Sequence, residues 1–356
     1  MIKGRESMTE KELKTAVKSP CGGFFFFGEE DYLKEYYEKE IRKAVICDEG
    51  LAPFNEVIFD DETFSVPSLA DALASPPMMA DKRLVRVHLS SYNSLSDGDK
   101  KELLELYGEV KASPDTVLVI SISPGGFDAG TEKRPTAAFK AIRDRLNAVD
   151  FPLQSEAKLV SWLSRHMAQS SLASSPEVLS QMISLCGRNM FRLGSEAEKV
   201  ASYALSKGMN TVTEDVVRRV VTVTPEEDAF RLANSVLAGD RGSALDCLRN
   251  AKGRGENPIK LLASVSAVFC DMAAIAHLAS GGADKYAIAS ALKIHEYRVG
   301  LYMKACAGIR PEALDRTVAM CAEADVKMKT SSSGYIPLER LICAALTAES
   351  LKAARA

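Results

Sequence analysis

The sequence has 356 residues, of which 46% are hydrophobic and 26% are charged, a composition typical of a globular protein and not of a disordered one. The length predicts two or three compact domains. A formal net charge of −3 excludes a protein whose affinity depends on a global positive field acting on phosphates. Eight cysteines without a CxxC pair or a zinc-ligand spacing indicate thiols in a reducing compartment, so we expect a cytoplasmic protein with no bound metal.

The first 150 or so residues alternate between strand and helix patterns, which predicts a parallel sheet with crossover helices. Thr9 and Glu12 form a capping box at the start of a helix. The run of four phenylalanines from Phe24 to Phe27 predicts a strand that is buried on both faces. An amphipathic helix follows at residues 31–45. The other predicted elements are strands at 55–60, 83–89 and 116–122 and helices at 66–74 and 97–107, which gives four strands in all.

From residue 153 onwards the patterns are helical, and no further strands are predicted. Ser155 and the Ser175-Pro176 pair start two helices, and Thr213 caps the fourth helix of a small unit. A second helical unit follows. The apolar stretch 261–280 contains Asp271 and many small residues, so it is predicted to be a buried helix and not a membrane span.

The glycine turn after the first strand lies where a nucleotide-binding fold places its phosphate loop. The residues there are Gly28, Glu29, Glu30 and Asp31. A phosphate loop needs several glycines, a lysine for the phosphate oxygens and a Ser or Thr for magnesium, and this turn supplies none of these. Each carboxylate repels a triphosphate by about 1 kcal/mol or more even in water. We therefore predict a degenerate nucleotide position that binds no ATP, and a chain without catalysis of its own.

Other catalytic patterns are absent from the sequence. The four histidines show no HExxH spacing and no neighbouring nucleophile signature. The run Asp60-Asp61-Glu62 is either an acidic turn or a cation site, and we favour the turn.

Several segments resemble the delta subunits of bacterial DNA polymerase III clamp loaders. Residues 26–33 are similar to that family's opening strand, glycine, acidic turn and leucine. The turn Cys186-Gly187-Arg188-Asn189 with the helix after it, and residues 324–342, resemble the family's middle turn and closing helices. The resemblance spans nearly the whole chain, although Ala197 and Val200 replace leucines, which indicates a divergent member.

The resemblance implies a fold of the α/β plus all-α class. It implies an AAA+-like parallel-sheet domain without a phosphate loop at 1–152, a small helical lid domain at 153–222 and a helical collar domain for oligomerisation at 223–356. The implied function is a delta-type subunit that binds the beta sliding clamp and opens it for loading onto DNA, without hydrolysing ATP and without a cofactor. The implied partners are the beta sliding clamp, other clamp-loader subunits through the collar, and primer-template DNA within the complex, with no membrane.

The family carries a hydrophobic pair between the helix at 66–74 and the strand at 83–89, and here that pair is Met78 and Met79. Pro76 and Pro77 stiffen the backbone before them. The resemblance implies that the methionines insert into a hydrophobic pocket of the clamp, flanked by Pro77 and Leu73. The alternative is that both methionines pack beneath the sheet as core, and Leu73 is open to either role.

Two other functions remain open from the sequence alone. One is a divergent, active AAA+ ATPase, and the other is a helical adaptor outside replication. Two interpretations also remain for the basic residues of the segment 133–145, which either line a DNA channel or form a solvated helix face. These residues are Lys133, Arg134, Lys140, Arg143 and Arg145.

Overall fold

The computed structural model describes residues 7–131, 134–223, 225–294, 296–331 and 334–347. The chain divides into two compact units, of which the first ends at Leu159 and the second begins at Val160. The finer division at 152/153 and 222/223 stays a prediction.

The first unit alternates strands and helices, as predicted. Its opening helix has the expected capping box, in which the Thr9 hydroxyl accepts from the Glu12 N–H and the Glu12 carboxylate accepts from the Thr9 N–H at 2.8 Å. The helices are α1 (Glu10–Ala16), α2 (Asp31–Val45), α3 (Ala52–Asn55), α4 (Val66–Ala74), α5 (Asp97–Ala112) and α6 (Ala137–Arg143). The strands are β1 (Gly22–Phe27), β2 (Glu56–Phe59), β3 (Arg83–Leu89), β4 (Thr116–Ile122), β5 (Gly130–Thr131), β6 (Arg134–Pro135) and β7 (Asn147–Asp150).

Five of these strands form one parallel sheet in the order β2-β3-β4-β1-β7. The expected fold class, a parallel α/β sheet with helices on its faces together with a helical remainder, is confirmed. The prediction of four strands was wrong, because it omitted β7. This strand has four residues, and its apolar pair Ala148 and Val149 is too short to give a strand pattern of its own.

The strand β1 lies in the interior of the sheet and packs on both faces, as its four phenylalanines predicted. Phe24 and Phe26 belong to the core that includes Tyr37 and Ile41 of α2. Phe25 and Phe27 belong to the core on the other face. The helices α2 and α4 are therefore both held by a fully buried layer of sheet side chains.

Other boundaries and elements differ from the prediction. Asn55 ends the short helix α3 and is not the first residue of a strand, and β2 also ends before Asp60. The helix α5 continues from 107 to Ala112 because Val110 packs into the sheet core. The two-residue strands β5 and β6 form an antiparallel pair that the sequence pattern did not indicate.

The described residues of the second unit are helical except for one small parallel pair of strands. The helix α7 (Glu156–Gln169) contains the division between the units, and the next helices along the chain are α8 (Pro176–Cys186), α9 (Met190–Ser206) and α10 (Glu214–Val220). The prediction that no strands follow residue 153 was wrong, because β8 (Ala173–Ser174) pairs with β9 (Thr211–Val212). Thr213 precedes α10, as expected, but its side chain makes no capping hydrogen bond.

Seven helices complete the described part of the chain. They are α11 (Pro225–Ala238), α12 (Arg241–Gly253), α13 (Pro258–Ser280), α14 (Lys285–Leu292), α15 (Glu296–Ala305), α16 (Pro311–Thr330) and α17 (Ile336–Thr347). By length and composition, α13 is the one helix in the described chain that is apolar enough to cross a bilayer. Its residues Leu262, Phe269 and Met272 are buried in the core of this unit, which is the position predicted for it.

Candidate functional site

The turn after β1 packs closely against the end of the neighbouring strand β7. Gly28 has a φ of 102°, and a Cβ atom there would lie 2.6 Å from both the Phe151 carbonyl oxygen and the Asp150 Oδ1. Glycine is therefore required at this position for both conformation and space. The Glu30 N–H donates to the Phe151 carbonyl oxygen at 2.8 Å, which ties the start of α2 to the same strand end.

A buried lysine occupies the carboxyl end of the sheet beside this turn. The side chain of Lys34 is 2% exposed, and its ammonium donates to the carbonyl oxygens of Gly28 at 2.9 Å and of Ile122 at 2.7 Å. It also lies 2.7 Å from the Asp31 carboxylate. One cation thus joins the ends of β1 and β4 to the first turn of α2. Lys34 was not among the residues predicted for this site.

The three acids of the turn do not act as three equal free charges. Asp31 is paired with Lys34, Glu30 is 4% exposed, and Glu29 points to solvent. Negative side chains at the first turn of α2 supply the charge that an anion supplies at other helix N-termini. The pKa of the Asp150 carboxyl is raised by desolvation and by the nearby charge of Glu29, while Lys34 opposes the shift.

The other acidic turn is also engaged in local hydrogen bonds. The Asp60 carboxylate accepts from the N–H groups of Glu62 and Thr63, and the Asp61 carboxylate accepts from the Ser90 N–H at 2.9 Å. Within the described ranges no group of three or more His, Cys, Asp or Glu side chains is arranged to hold a metal ion. These contacts favour the acidic-turn interpretation.

The methionine pair lies on a connector without regular structure between α4 and β3. Met78 is 51% exposed and Met79 is 83% exposed, which places both side chains at the surface of the unit. Met79 has a φ of 54°, in the left-handed region where a residue with a Cβ pays about 1 to 2 kcal/mol. Inward packing of the pair as core does not occur here. We call residues Pro77–Met79 the tip.

The backbone of the tip is fixed by one buried amide. Asn55 is 1% exposed, and its side chain accepts from the Met78 N–H at 2.6 Å and donates to the Met78 carbonyl oxygen at 2.8 Å. The same amide nitrogen also donates to the Leu51 carbonyl oxygen at 3.1 Å. Asn55 therefore binds the tip through main-chain atoms and leaves both methionine side chains outside the contact. No sequence signal distinguished this asparagine.

Ionic contacts hold the segment that carries Asn55. Arg42 of α2 donates to the Glu56 carboxylate at 2.8 Å and to the Glu49 carboxylate at 2.7 Å. Arg86 of β3 lies 3.5 Å from Glu56. The hydrogen bond to Arg42 holds the pKa of Glu49 below its usual value, and the hydrogen bonds to Glu49 and Glu56 raise the pKa of Arg42. The residues before and after Asn55 are thus linked to α2 and β3.

The flanks of the tip are partly buried. Pro77 is half-buried, and Leu73 of α4 is half-buried against the sheet core. After the tip, the Lys82 ammonium donates to the Pro20 carbonyl oxygen at 2.6 Å. A surface pocket of about 360 Å³ lies beside residues 79–82 and is lined on its other side by residues 18–20 and 44–48. Leu73 therefore belongs partly to the core, and Met78 and Met79 are the exposed members of the four residues predicted to bind the clamp.

The basic residues around α6 do not form one exposed stripe. The side chain of Arg143 is 15% exposed and lies over the Phe139 ring, 5.8 Å from its centroid. Arg145 donates to the Ala141 carbonyl oxygen. Arg134 and Lys140 are exposed, and Lys133 lies outside the described residues. Their contact with DNA stays a prediction.

Two family models match the chain. Residues 24–164 match DNA polymerase III, delta subunit, and residues 226–343 match the DNA polymerase III delta subunit, C-terminal domain. The DNA polymerase III subunit delta of Bacillus subtilis (strain 168) is 26% identical over 328 residues, which are 90% of this chain and 90% of that protein. The solved structure of a Bacillus subtilis DNA clamp loader delta protein has a TM-score of 0.72 and 22% identity, and covers 94% of this chain and 99% of that one.

We expect Lys34→Met to lower the free energy of unfolding by about 2 kcal/mol, because the carbonyl oxygens of Gly28 and Ile122 lose a charged donor inside the protein. Urea unfolding followed by circular dichroism measures the change. The control is Lys39→Met on the same helix, whose lysine is 62% exposed and whose loss is expected to change stability by less than about 1 kcal/mol. Equal effects of the two substitutions would contradict the role of the buried ammonium.

We expect Asn55→Ala to loosen the tip, because both main-chain hydrogen bonds of Met78 are lost. The free energy of unfolding is expected to fall by about 1 to 2 kcal/mol, and the amides of residues 78–80 are expected to exchange hydrogen faster. Hydrogen exchange read by mass spectrometry measures the second effect. The matched control is Asn93→Ala, at an exposed asparagine. Unchanged exchange at the tip in Asn55→Ala would show that this amide does not hold it.

Proposed function

Because the chain belongs to the family of DNA polymerase III delta subunits, we propose that it binds the sliding clamp of its replication machinery through Met78 and Met79. The chain is a clamp-loader subunit, as are the relatives that it matches over most of their length. Binding to the clamp, and opening of the clamp, are the further steps of the proposal.

The observation that carries the proposal is the exposure of two adjacent methionines on a fixed backbone. The side chain of Met79 is 83% exposed and therefore contributes little to the stability of the fold by burial. Exposed apolar side chains that are grouped together mark sites of protein contact. Asn55 holds the main chain of Met78 in place before any partner arrives. The cost of ordering this segment on binding is therefore reduced.

The tip supplies enough apolar surface to act as an anchor. Full burial of two methionine side chains contributes about 3 to 5 kcal/mol from area alone. An unbranched thioether has three rotatable bonds and adapts to a pocket whose shape does not match it closely. Pro77 and the exposed part of Leu73 flank the pair and complete the proposed clamp-binding surface.

Opening a ring requires that the bound chain favour the open clamp over the closed one, since equal affinity for both states shifts nothing. We assign this bias to α4, which leads directly into the tip. Val66, Leu69 and Ala72 of α4 are buried in the sheet core, so the helix is rigidly attached to the unit that carries the tip. A rigid helix beside the anchor is able to exclude the closed arrangement of the clamp by steric contact.

We further propose that the chain performs this work without hydrolysing ATP. The Gly28 turn lies where a nucleotide-binding fold has its phosphate loop. The ammonium of Lys34 beside it already contacts two carbonyl oxygens and the Asp31 carboxylate. Its ammonium is therefore not free to neutralise a triphosphate.

We also propose the place of the chain in the clamp loader. The helices after residue 223 contact other subunits of the loader, and primer-template DNA is bound by the assembled complex. The complex acts in the cytoplasm.

We expect the double variant Met78→Ala/Met79→Ala to lose clamp binding by at least tenfold, because it removes most of the apolar surface of the tip. Surface plasmon resonance with immobilised sliding clamp measures the dissociation constant. Thermal unfolding is expected to match that of the unchanged protein, since neither side chain is buried. The control is Val326→Ala, which shortens an exposed apolar side chain in the second unit. Full clamp binding by the double variant would overturn the assignment.

We expect no saturable ATP binding by the isolated chain at millimolar nucleotide with magnesium. Equilibrium dialysis with labelled ATP measures this, with an ATPase that has an intact phosphate loop as the positive control. The reason is the occupied carboxyl end of β1, where Lys34 already has its full set of partners. Binding of one ATP per chain would instead support the divergent ATPase.

A further inference from the structure

We propose that the tip is a site of methionine oxidation, and that conversion of Met78 and Met79 to sulfoxides disconnects this chain from the sliding clamp. The proposal rests on the proposed function and adds a chemical control of the same site. It follows from where the chain exposes its thioethers, from how the tip is anchored, and from the polarity of a sulfoxide.

The two methionines of the tip are the most exposed methionines in the described chain. Met79 is 83% exposed and Met78 is 51% exposed. Five other methionines are buried, with exposures of 7% or less: Met167, Met182, Met190, Met272 and Met328. The rest of the described methionines are half-buried: Met8, Met209, Met303 and Met320. Met1 lies outside the described residues. A dissolved oxidant therefore meets the tip first.

The reaction needs only a hydroperoxide and no catalytic group from the protein. A lone pair of the methionine sulfur attacks one oxygen of hydrogen peroxide, and the O–O bond breaks. The sulfur is oxidised by two electrons to the sulfoxide, and the second oxygen leaves as water after proton transfer. Methionine sulfoxide reductases reverse the change, so the modification has a route back.

Oxidation at the tip leaves the fold without new strain. The anchor of Met78 uses its N–H and carbonyl groups, both bonded to Asn55, and no thioether takes part. Both side chains extend into solvent, where an added oxygen is hydrated at no cost to the packing. The oxidised chain is therefore expected to remain folded and to keep the tip in place.

The same oxygen acts against insertion into an apolar pocket. A sulfoxide is a strong hydrogen-bond acceptor, and burying it without a donor carries a desolvation penalty that a thioether does not have. Two sulfoxides side by side remove most of the apolar surface on which the proposed anchor depends. The result is a folded subunit that no longer recognises the clamp.

The experiment treats the full chain with hydrogen peroxide, removes the peroxide with catalase and gel filtration, and then adds unmodified clamp. Dithiothreitol is included after treatment, because it reduces disulfides and sulfenic acids formed at the exposed Cys21, Cys47, Cys270 and Cys343 but leaves methionine sulfoxide unchanged. Peptide mass spectrometry assigns the sulfoxides, and surface plasmon resonance measures clamp affinity. The comparison variant is Met78→Leu/Met79→Leu, whose own untreated affinity serves as its reference.

We expect sulfoxide at Met78 and Met79 before the methionines of the helical cores, an affinity at least tenfold weaker than before treatment, and recovery after incubation with methionine sulfoxide reductase. In the dileucine variant, the ratio of affinities before and after peroxide is expected to stay close to one. Circular dichroism is expected to be the same before and after treatment.

Three outcomes would overturn the inference: sulfoxides that form first at core methionines, full clamp binding by the oxidised chain, or a loss that the reductase does not reverse. These differ from a failure of the proposed function. If the untreated Met78→Ala/Met79→Ala variant binds the clamp as well as the unchanged chain, the tip is not the clamp-binding surface and both proposals fall together.

Discussion

The ammonium group of Lys34 is the contact on which the carboxyl end of the sheet depends. Two adjacent strands, β1 and β4, end there with carbonyl oxygens that point to the same place, and the first turn of α2 brings acidic side chains beside them. In a nucleotide-binding protein of this architecture, a phosphate supplies the negative charge at the helix N-terminus. Here the chain supplies both charges itself, with Asp31 at the helix and Lys34 at the strand ends. The parallel sheet can therefore be complete without any ligand.

At the tip, by contrast, a fixed backbone carries apolar side chains that remain exposed to solvent. Asn55 fixes this backbone because an amide side chain has both a donor and an acceptor, and so it can bond to the N–H and the carbonyl of one residue. Arg42 and Arg86 hold the neighbouring Glu56. The position of the methionines thus depends on α2 and β3 more than on the connector itself. Because the contact uses the main chain alone, the identity of the two exposed residues is free to vary with the pocket they meet.

The sequence predicted the layers of the fold well and the supporting contacts poorly. Phe24–Phe27 could be assigned to a doubly buried strand because no other position accommodates four consecutive phenylalanines, and Pro76 and Pro77 located the connector. The strand β7 was missed because four residues carry too little pattern. Lys34 was missed although it shares the buried face of α2 with Tyr37 and Ile41, and a lysine on such a face is itself a signal. Asn55 was beyond prediction, since its partner Met78 lies 23 residues away and only the folded chain brings them together.

Under the proposed function, a fixed main chain that carries flexible apolar side chains suits a subunit that opens a ring without hydrolysing ATP. The affinity of the tip for a clamp pocket stabilises the open and closed ring equally, unless something else on the bound chain distinguishes them. A flexible connector would allow the rest of the chain to move away from the closed ring and would lose this discrimination. The two hydrogen bonds between Asn55 and Met78 and the burial of Leu69 in the core join the tip and α4 into one rigid body. Binding of the methionines to a clamp pocket therefore also fixes where α4 lies relative to the clamp. Under this proposal, the thioethers determine whether the clamp is bound, and the backbone behind them determines which state of the clamp is bound.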